Sequence, residues 1–209
     1  MGLFRNPWHD RGLLDVRILQ HNERACSVAC VAMLVNAAQA LHEPLSLLAP
    51  LSPPELLDRV ADEHWMQAIS PGGDGVTLAE LASFAERSLN VCGFPHVDVD
   101  IVHVDSATTE VRRQVGQTLA EVARFPSQFV IANFLHSVYT GDIEADEGHF
   151  ALVAGYDQLA RRVLVLDPDL DDYEPYWVSE KVFVDGMATH DAASLRSRGY
   201  LSIRLHLPS

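Results

Sequence analysis

Two thiols stand four positions apart at the front of the apolar run CSVACVAMLVNA: Cys26 and Cys30. A cysteine attacks as its thiolate, and the ordinary thiol pKa of about 8.5 falls by several units at a helix N-terminus or beside an imidazolium. The residues before Cys26, QHNER, are polar and those after it are apolar, which predicts a helix beginning there. In the first turn of a helix the unpaired N–H groups and the dipole favour an anion. Cys26 holds that position. Cys30 lies one turn further in, among apolar neighbours, and reads as a small core residue, the common fate of a free cysteine.

A thiolate of this kind needs a base, and the base needs an orienting group. His149 opens the apolar run HFALVAGY and Asp167 closes RVLVLD. If the two runs are consecutive antiparallel strands, the start of the first lies beside the end of the second, and imidazole and carboxylate meet. Taken singly, each has an ordinary structural reading: a half-buried histidine, and a strand-ending turn aspartate before Pro168.

The elements that must position these groups follow from periodicity. Residues 25–40 are apolar on nearly every face, which predicts a buried helix. The prolines of 43–56 predict a loop, with a short helix over 54–64. PGGDG at 71–75 is a turn; it has neither the preceding strand nor the following Lys-Ser/Thr that phosphate cradling would require. Thr77 and Glu80 form a capping-box pattern that opens a helix to about Leu89. VDVDIVHV (97–104) alternates as a half-buried strand does, and 107–124 is an amphipathic helix ended near Pro126. FVIANF, HFALVAGY, RVLVLD and GYLSIRLHL are strand-like. The expectation is an α+β fold in a single domain over 1–209, with a helical part at about 14–125 and a sheet-rich part at about 126–209 facing each other as lobes.

Composition narrows the function classes. The chain has 209 residues, 48% of them hydrophobic and 21% charged, with a formal net charge of −14. That charge argues against nucleic acid and anionic membrane surfaces, which demand a basic face. No apolar run approaches the roughly 20 residues that span a bilayer. MGLFRNPWHDRG lacks the apolar stretch of a secretory signal, and Asn6 stands where a myristoylation signal needs Ser or Thr. Three cysteines are too few for a disulfide framework, so reduced thiols and a cytoplasmic location are expected. The ten histidines are scattered, no spacing matches a zinc site, and neither an organic cofactor nor a dedicated metal site is expected. The one assembly left open is a homodimer.

Three stretches together resemble the phytochelatin synthase family, papain-like γ-glutamylcysteine dipeptidyl transpeptidases. Gln20-x5-Cys26-Ser-Val-Ala with MLVNA is similar to that family's Gln-x5-Cys-Gly-x-Ala block; GHFALVAGYD is similar to its Gly-His-Phe-Ser-Pro-x-x-Gly-Tyr segment; and VLVLDPDLDDYEPYWV is similar to its Leu-Asp-Val…Tyr-Pro-Pro-x-Trp-Val segment. The 18-residue spacing from His149 to Asp167 also agrees. The resemblance spans roughly residues 14–205. It implies a papain-like fold, with a helical lobe carrying the nucleophile and an antiparallel sheet lobe carrying His and Asp. It implies that Cys26 is the nucleophile, His149 the general base and then acid, Asp167 its orienter, and Gln20 an oxyanion donor beside the backbone N–H of Cys26. Such a donor is worth about 3 kcal/mol. The implied activity is release of glycine from glutathione, with the γ-Glu-Cys group passing to a second glutathione or to water. The implied setting is metal detoxification, a soft divalent metal entering on the substrate thiolate.

The chain departs from the pattern where substrate would bind. Ser27 replaces a glycine. Where the family carries basic residues between its Asp and its Pro-x-Trp segment, this chain has Asp169, Asp171, Asp172 and Glu174; where the family has an Arg after the strand preceding the histidine, it has His136. GDIEADEG adds Asp142, Glu144, Asp146 and Glu147. If these acids face the cleft, an amine, a polyamine or a metal-bearing ligand suits them better than a peptide with two carboxylates; if not, they form a solvated rim. Two alternatives therefore stand beside the transferase: an amide-forming or amide-cleaving cysteine enzyme with an amine substrate, and a catalytically silent papain-like binding module.

Overall fold

The computed structural model describes residues 13–42, 49–144, 146–169 and 174–206. Its strands are β1 (Val97–His103), β2 (Gln128–Leu135), β3 (Gly148–Asp157), β4 (Arg162–Leu166), β5 (Tyr176–Ser179), β6 (His190–Asp191), β7 (Arg196–Ser197) and β8 (Gly199–Leu205). Six of them make one antiparallel sheet in the order β1-β8-β2-β3-β4-β5, and β6 and β7 form a separate two-stranded ribbon.

Successive side chains of a strand point to opposite faces. Phe129, Ile131, Phe150, Leu152, Leu164, Leu166, Leu201 and Ile203 enter one core, while Val130, Ala132, Ala151, Val153, Val163, Val165 and Tyr200 enter another. Burial on both faces is why these runs read as continuously apolar. The first core is shared with α1 (Cys26–His42), α2 (Pro53–Val60), α3 (Glu63–Ala68) and α4 (Leu78–Val91). The second is shared with α5 (Thr109–Arg124) and α7 (Glu180–Met187), and α6 (His136–Thr140) follows β2 directly. The α+β class is as expected, with Cys26 on a helix and His149 on the sheet. The front half also contributes an edge strand, β1, and a helix, α5, to the far face.

Several elements differ from the sequence reading. The single helix expected over 54–64 is two, because Ala61 turns into the left-handed region (φ 51°) and Asp62 starts α3 by accepting from the N–H of Trp65. The helix α2 begins inside the expected loop. Ser52 and Glu55 form a capping box there, and Pro53 and Pro54 occupy the first helical turn, where proline is tolerated; residues 43–48 of that loop lie outside the described residues. The strand β1 pairs with β8 alone, so it is an edge strand with Asp98, Asp100 and Ile101 exposed. The capping box of Thr77 and Glu80 is present, and α5 ends at Arg124, just before the expected stop.

Candidate active site

Cys26 is the first residue of α1, so its backbone N–H belongs to the set that the helix cannot satisfy itself. Two contacts fix this helix start. The indole Nε1 of Trp65 donates to Ser27 Oγ at 3.0 Å, and Trp65 is fully buried and stacked on Phe84 with ring centroids 4.5 Å apart. One turn on, Cys30 Sγ donates to the carbonyl of Phe150 at 3.3 Å. Cys30 is a core residue, and it also ties α1 to β3 one residue beyond His149. Burial, and then the charges of Cys26 and Asp167, push its thiol well above the ordinary value, so it stays protonated.

The hairpin of β3 and β4 pairs Leu152 with Leu166 and Val153 with Val165, which brings the start of one strand to the end of the other. His149 Nε2 lies 2.7 Å from Asp167 Oδ1. Asp167 is fully buried; its Oδ1 also accepts from the N–H of Asp169 (3.0 Å), and its Oδ2 accepts from the Tyr176 hydroxyl (2.7 Å). With Nε2 engaged, Nδ1 is the nitrogen left to interact with Cys26. Burial of His149 works against the imidazolium. The charge and hydrogen bond of Asp167, and then the contact with Cys26, outweigh it and raise the pKa to about 10. Burial likewise works against the Asp167 carboxylate, and His149, Tyr176 and the Asp169 N–H outweigh it, holding it below the usual carboxylate range.

Gln20 is buried beside this line: its backbone N–H donates to the carbonyl of Pro168 at 2.6 Å, and Arg17 Nε donates to the carbonyl of Asp167 at 3.3 Å. Its Oε1 is buried without a hydrogen-bond partner among the described residues. His136 stacks on His149, ring centroids 4.7 Å apart, and stands 3.6 Å from Asp169 Oδ2. Glu174 is exposed and does not line the cleft described below; Asp171 and Asp172 lie outside the described residues. Asp142, Glu144 and Asp146 are also exposed and outside the cleft wall; among the described residues of the two acidic loops, Glu147 is the acid that lines it.

Cys26 opens onto a cleft of about 700 Å³. Its lining includes residues that the sequence reading did not single out. Arg198 is buried, with 7% exposure; its Nη1 donates to the carbonyl of His190 (2.6 Å), while its Nε has no partner among the described residues. Asn133, also buried, presents an unpartnered Oδ1. Asp191, Arg24, Glu23 and the 73–77 segment also line it, so the PGGDG turn forms part of the wall. The one signal for Arg198 in the sequence was a cation just before GYLSIRL; its partners come from the small β6–β7 ribbon, which no periodicity announced.

An α+β protein with a cysteine at a helix mouth, aligned on a histidine–aspartate pair from a sheet hairpin, belongs to the cysteine–histidine–aspartate class. The model of the phytochelatin synthase family matches residues 12–200, and the chain belongs to that family. It is 30% identical over 142 residues to a glutathione gamma-glutamylcysteinyltransferase of Schizosaccharomyces pombe, covering 65% of this chain and 30% of that protein. It is 38% identical over 60 residues to glutathione gamma-glutamylcysteinyltransferase 3 of Lotus japonicus, covering 29% of this chain and 12% of that protein. The matched part thus spans less than a third of either relative. Among solved structures, the Pseudomonas avirulence protein AvrPphB overlays on 93% of this chain and 100% of its own, at 14% identity and a TM-score of 0.41, a likeness too distant to carry weight. No helix among the described residues is long and apolar enough to cross a membrane.

Proposed function

We propose that the chain is a papain-like cysteine acyltransferase or peptidase that works through an acyl-enzyme on glutathione. The observation that carries this reading is the line Cys26–His149–Asp167 opening onto the cleft. The Cys26 thiolate attacks the carbonyl carbon of the Cys–Gly amide. Gln20 and the Cys26 N–H stabilise the oxyanion, the C–N bond breaks, and the His149 imidazolium gives its proton to the departing glycine amine. Water or the amine of a second thiol peptide then attacks the thioester, losing a proton to His149 and freeing Cys26. At the γ-glutamyl end, Arg198 Nε suits a carboxylate, and Asp191 with Asn133 Oδ1 suits an amine. A soft divalent metal would enter as part of the substrate, on its thiolate. Three free cysteines and a thiolate nucleophile suit a reducing cytoplasm.

A second reading has an amine acceptor other than a peptide. Glu23, Asp74, Glu80, Glu147 and Asp191 outnumber Arg24 and Arg198 in the cleft wall, which favours a cation. Incubation with glutathione, mass spectrometry for free glycine and intact-mass detection of a γ-Glu-Cys adduct on Cys26 test the proposal. Release of glycine that disappears in Cys26→Ser supports it. Absence of both glycine and adduct sinks it, and an adduct formed from another donor would name the alternative.

A further inference from the structure

We propose that His136, His149, Asp167 and Asp169 form a site for a divalent cation of the Zn2+ type, whose occupancy replaces the His149–Asp167 hydrogen bond. One ligand atom from each residue lies within 4.8 Å of all the others. His136 Nε2 stands 3.6 Å from Asp169 Oδ2 and 4.0 Å from Asp167 Oδ2, and His149 Nε2 stands 2.7 Å from Asp167 Oδ1. A tetrahedral zinc with bonds of about 2.0–2.2 Å holds its ligand atoms roughly 3.3 Å apart. The separations of 3.6 and 4.0 Å exceed that and the set reaches up to 4.8 Å, so the side chains must close on the ion, while the His149–Asp167 pair opens to admit it. Two neutral imidazoles and two carboxylates make an N2O2 set whose charge balances the ion.

Asp167 is fully buried, while the side chains of His136 and Asp169 keep 11% and 17% exposure and are not among the residues lining the substrate cleft. Bound there, the cation replaces the proton on His149 Nε2. Coordination at Nε2 leaves Nδ1 facing Cys26, but it draws electron density from the ring and separates it from Asp167, so the ring is a weaker base. The site uses the same dyad as the proposed reaction but is independent of which substrate the cleft takes.

The test is titration of the Cys26→Ser protein with Zn2+, and with Co2+ as a spectroscopic probe, so that no nucleophilic sulfur can act as ligand. One equivalent is expected to bind, with the strong d–d absorption of four-coordinate Co2+ and a displaced His149 Nε2 resonance in nitrogen-15 NMR. His136→Ala and Asp169→Asn should each weaken binding by at least ~10-fold, as loss of a ligand does. Circular dichroism checks folding, and Asp169→Asn decides the matter if His136→Ala does not fold. No binding to Cys26→Ser, or unchanged affinity in the folded variants, overturns the site. Because binding is read without substrate, it stands or falls separately from glycine release.

Discussion

Tyr176 donates its hydroxyl to Oδ2 of Asp167 at 2.7 Å, on the carboxylate oxygen that His149 leaves unused. The strand β5 thereby fixes the orientation of a fully buried carboxylate that β4 delivers. Tyr176→Phe removes one hydrogen bond to a charged group, worth about 1.5–3 kcal/mol. Turnover is expected to fall roughly tenfold with little change in KM, measured by glycine release under saturating glutathione. An unchanged kcat would show that Asp167 needs no second anchor.

Gly148 packs against Arg198: a Cβ there would come within 2.8 Å of Nη2, whose guanidinium is already held by the His190 carbonyl. Gly148→Ala should push the cation out of place and raise KM several-fold. Alkylation of Cys26 by iodoacetamide, which needs the dyad but not Arg198, should keep its rate. A loss of alkylation in step with the rise in KM would place the damage in the dyad instead.

The indole of Trp65 is fully buried and its N–H is satisfied by Ser27 Oγ. Ser27→Ala leaves that donor without its acceptor, at a cost of about 1–3 kcal/mol. Urea denaturation of Ser27→Ala, Trp65→Phe and the double variant should show a coupling between the two sites, since the second substitution removes what the first left unpaired. Additive effects would mean that the bond contributes nothing.

The three thiols should separate under alkylation at mildly acidic pH. Cys26 pairs with a histidine raised to about 10, whereas burial raises Cys30 well above the ordinary value and also raises Cys92. Peptide mapping after limited iodoacetamide treatment should find Cys26 labelled first. Equal, slow labelling of all three would favour the catalytically silent module.

Glu180 is buried and accepts from Tyr156 and Arg161 across the second core. Burial opposes its carboxylate, but these hydrogen bonds prevail and lower its pKa. A carboxylate lowered on folding stabilises the protein fully above its unfolded value, about 4.3. That contribution is lost as pH falls through the folded value. Glu180→Gln should therefore lower the melting temperature at pH 7 and narrow the gap from the parent protein as pH drops below about 4. A gap independent of pH would show that the carboxylate charge is not what counts.

The sequence by itself determined the parts that rest on local signals. The change from QHNER to an apolar run marked where α1 begins, because a helix needs its first turn exposed to capping and its body buried. The ends of two apolar runs marked His149 and Asp167, because a short hairpin must bring such ends together. Other local signals were hidden: a helix was expected over 54–64, but Pro53 and Pro54 signal a loop unless their place in the first turn is known, and the break at Ala61 that makes two helices went unread. Tertiary structure alone decided the rest. The insertion of β8 between β1 and β2 carries Arg198 into the cleft beside Asn133, and the one-turn helix after β2 lays His136 on His149. These neighbours lie far apart in the chain, and no periodicity relates them. Strand order and the packing of two cores fix their distances, and those are settled by how all the apolar faces are buried at once.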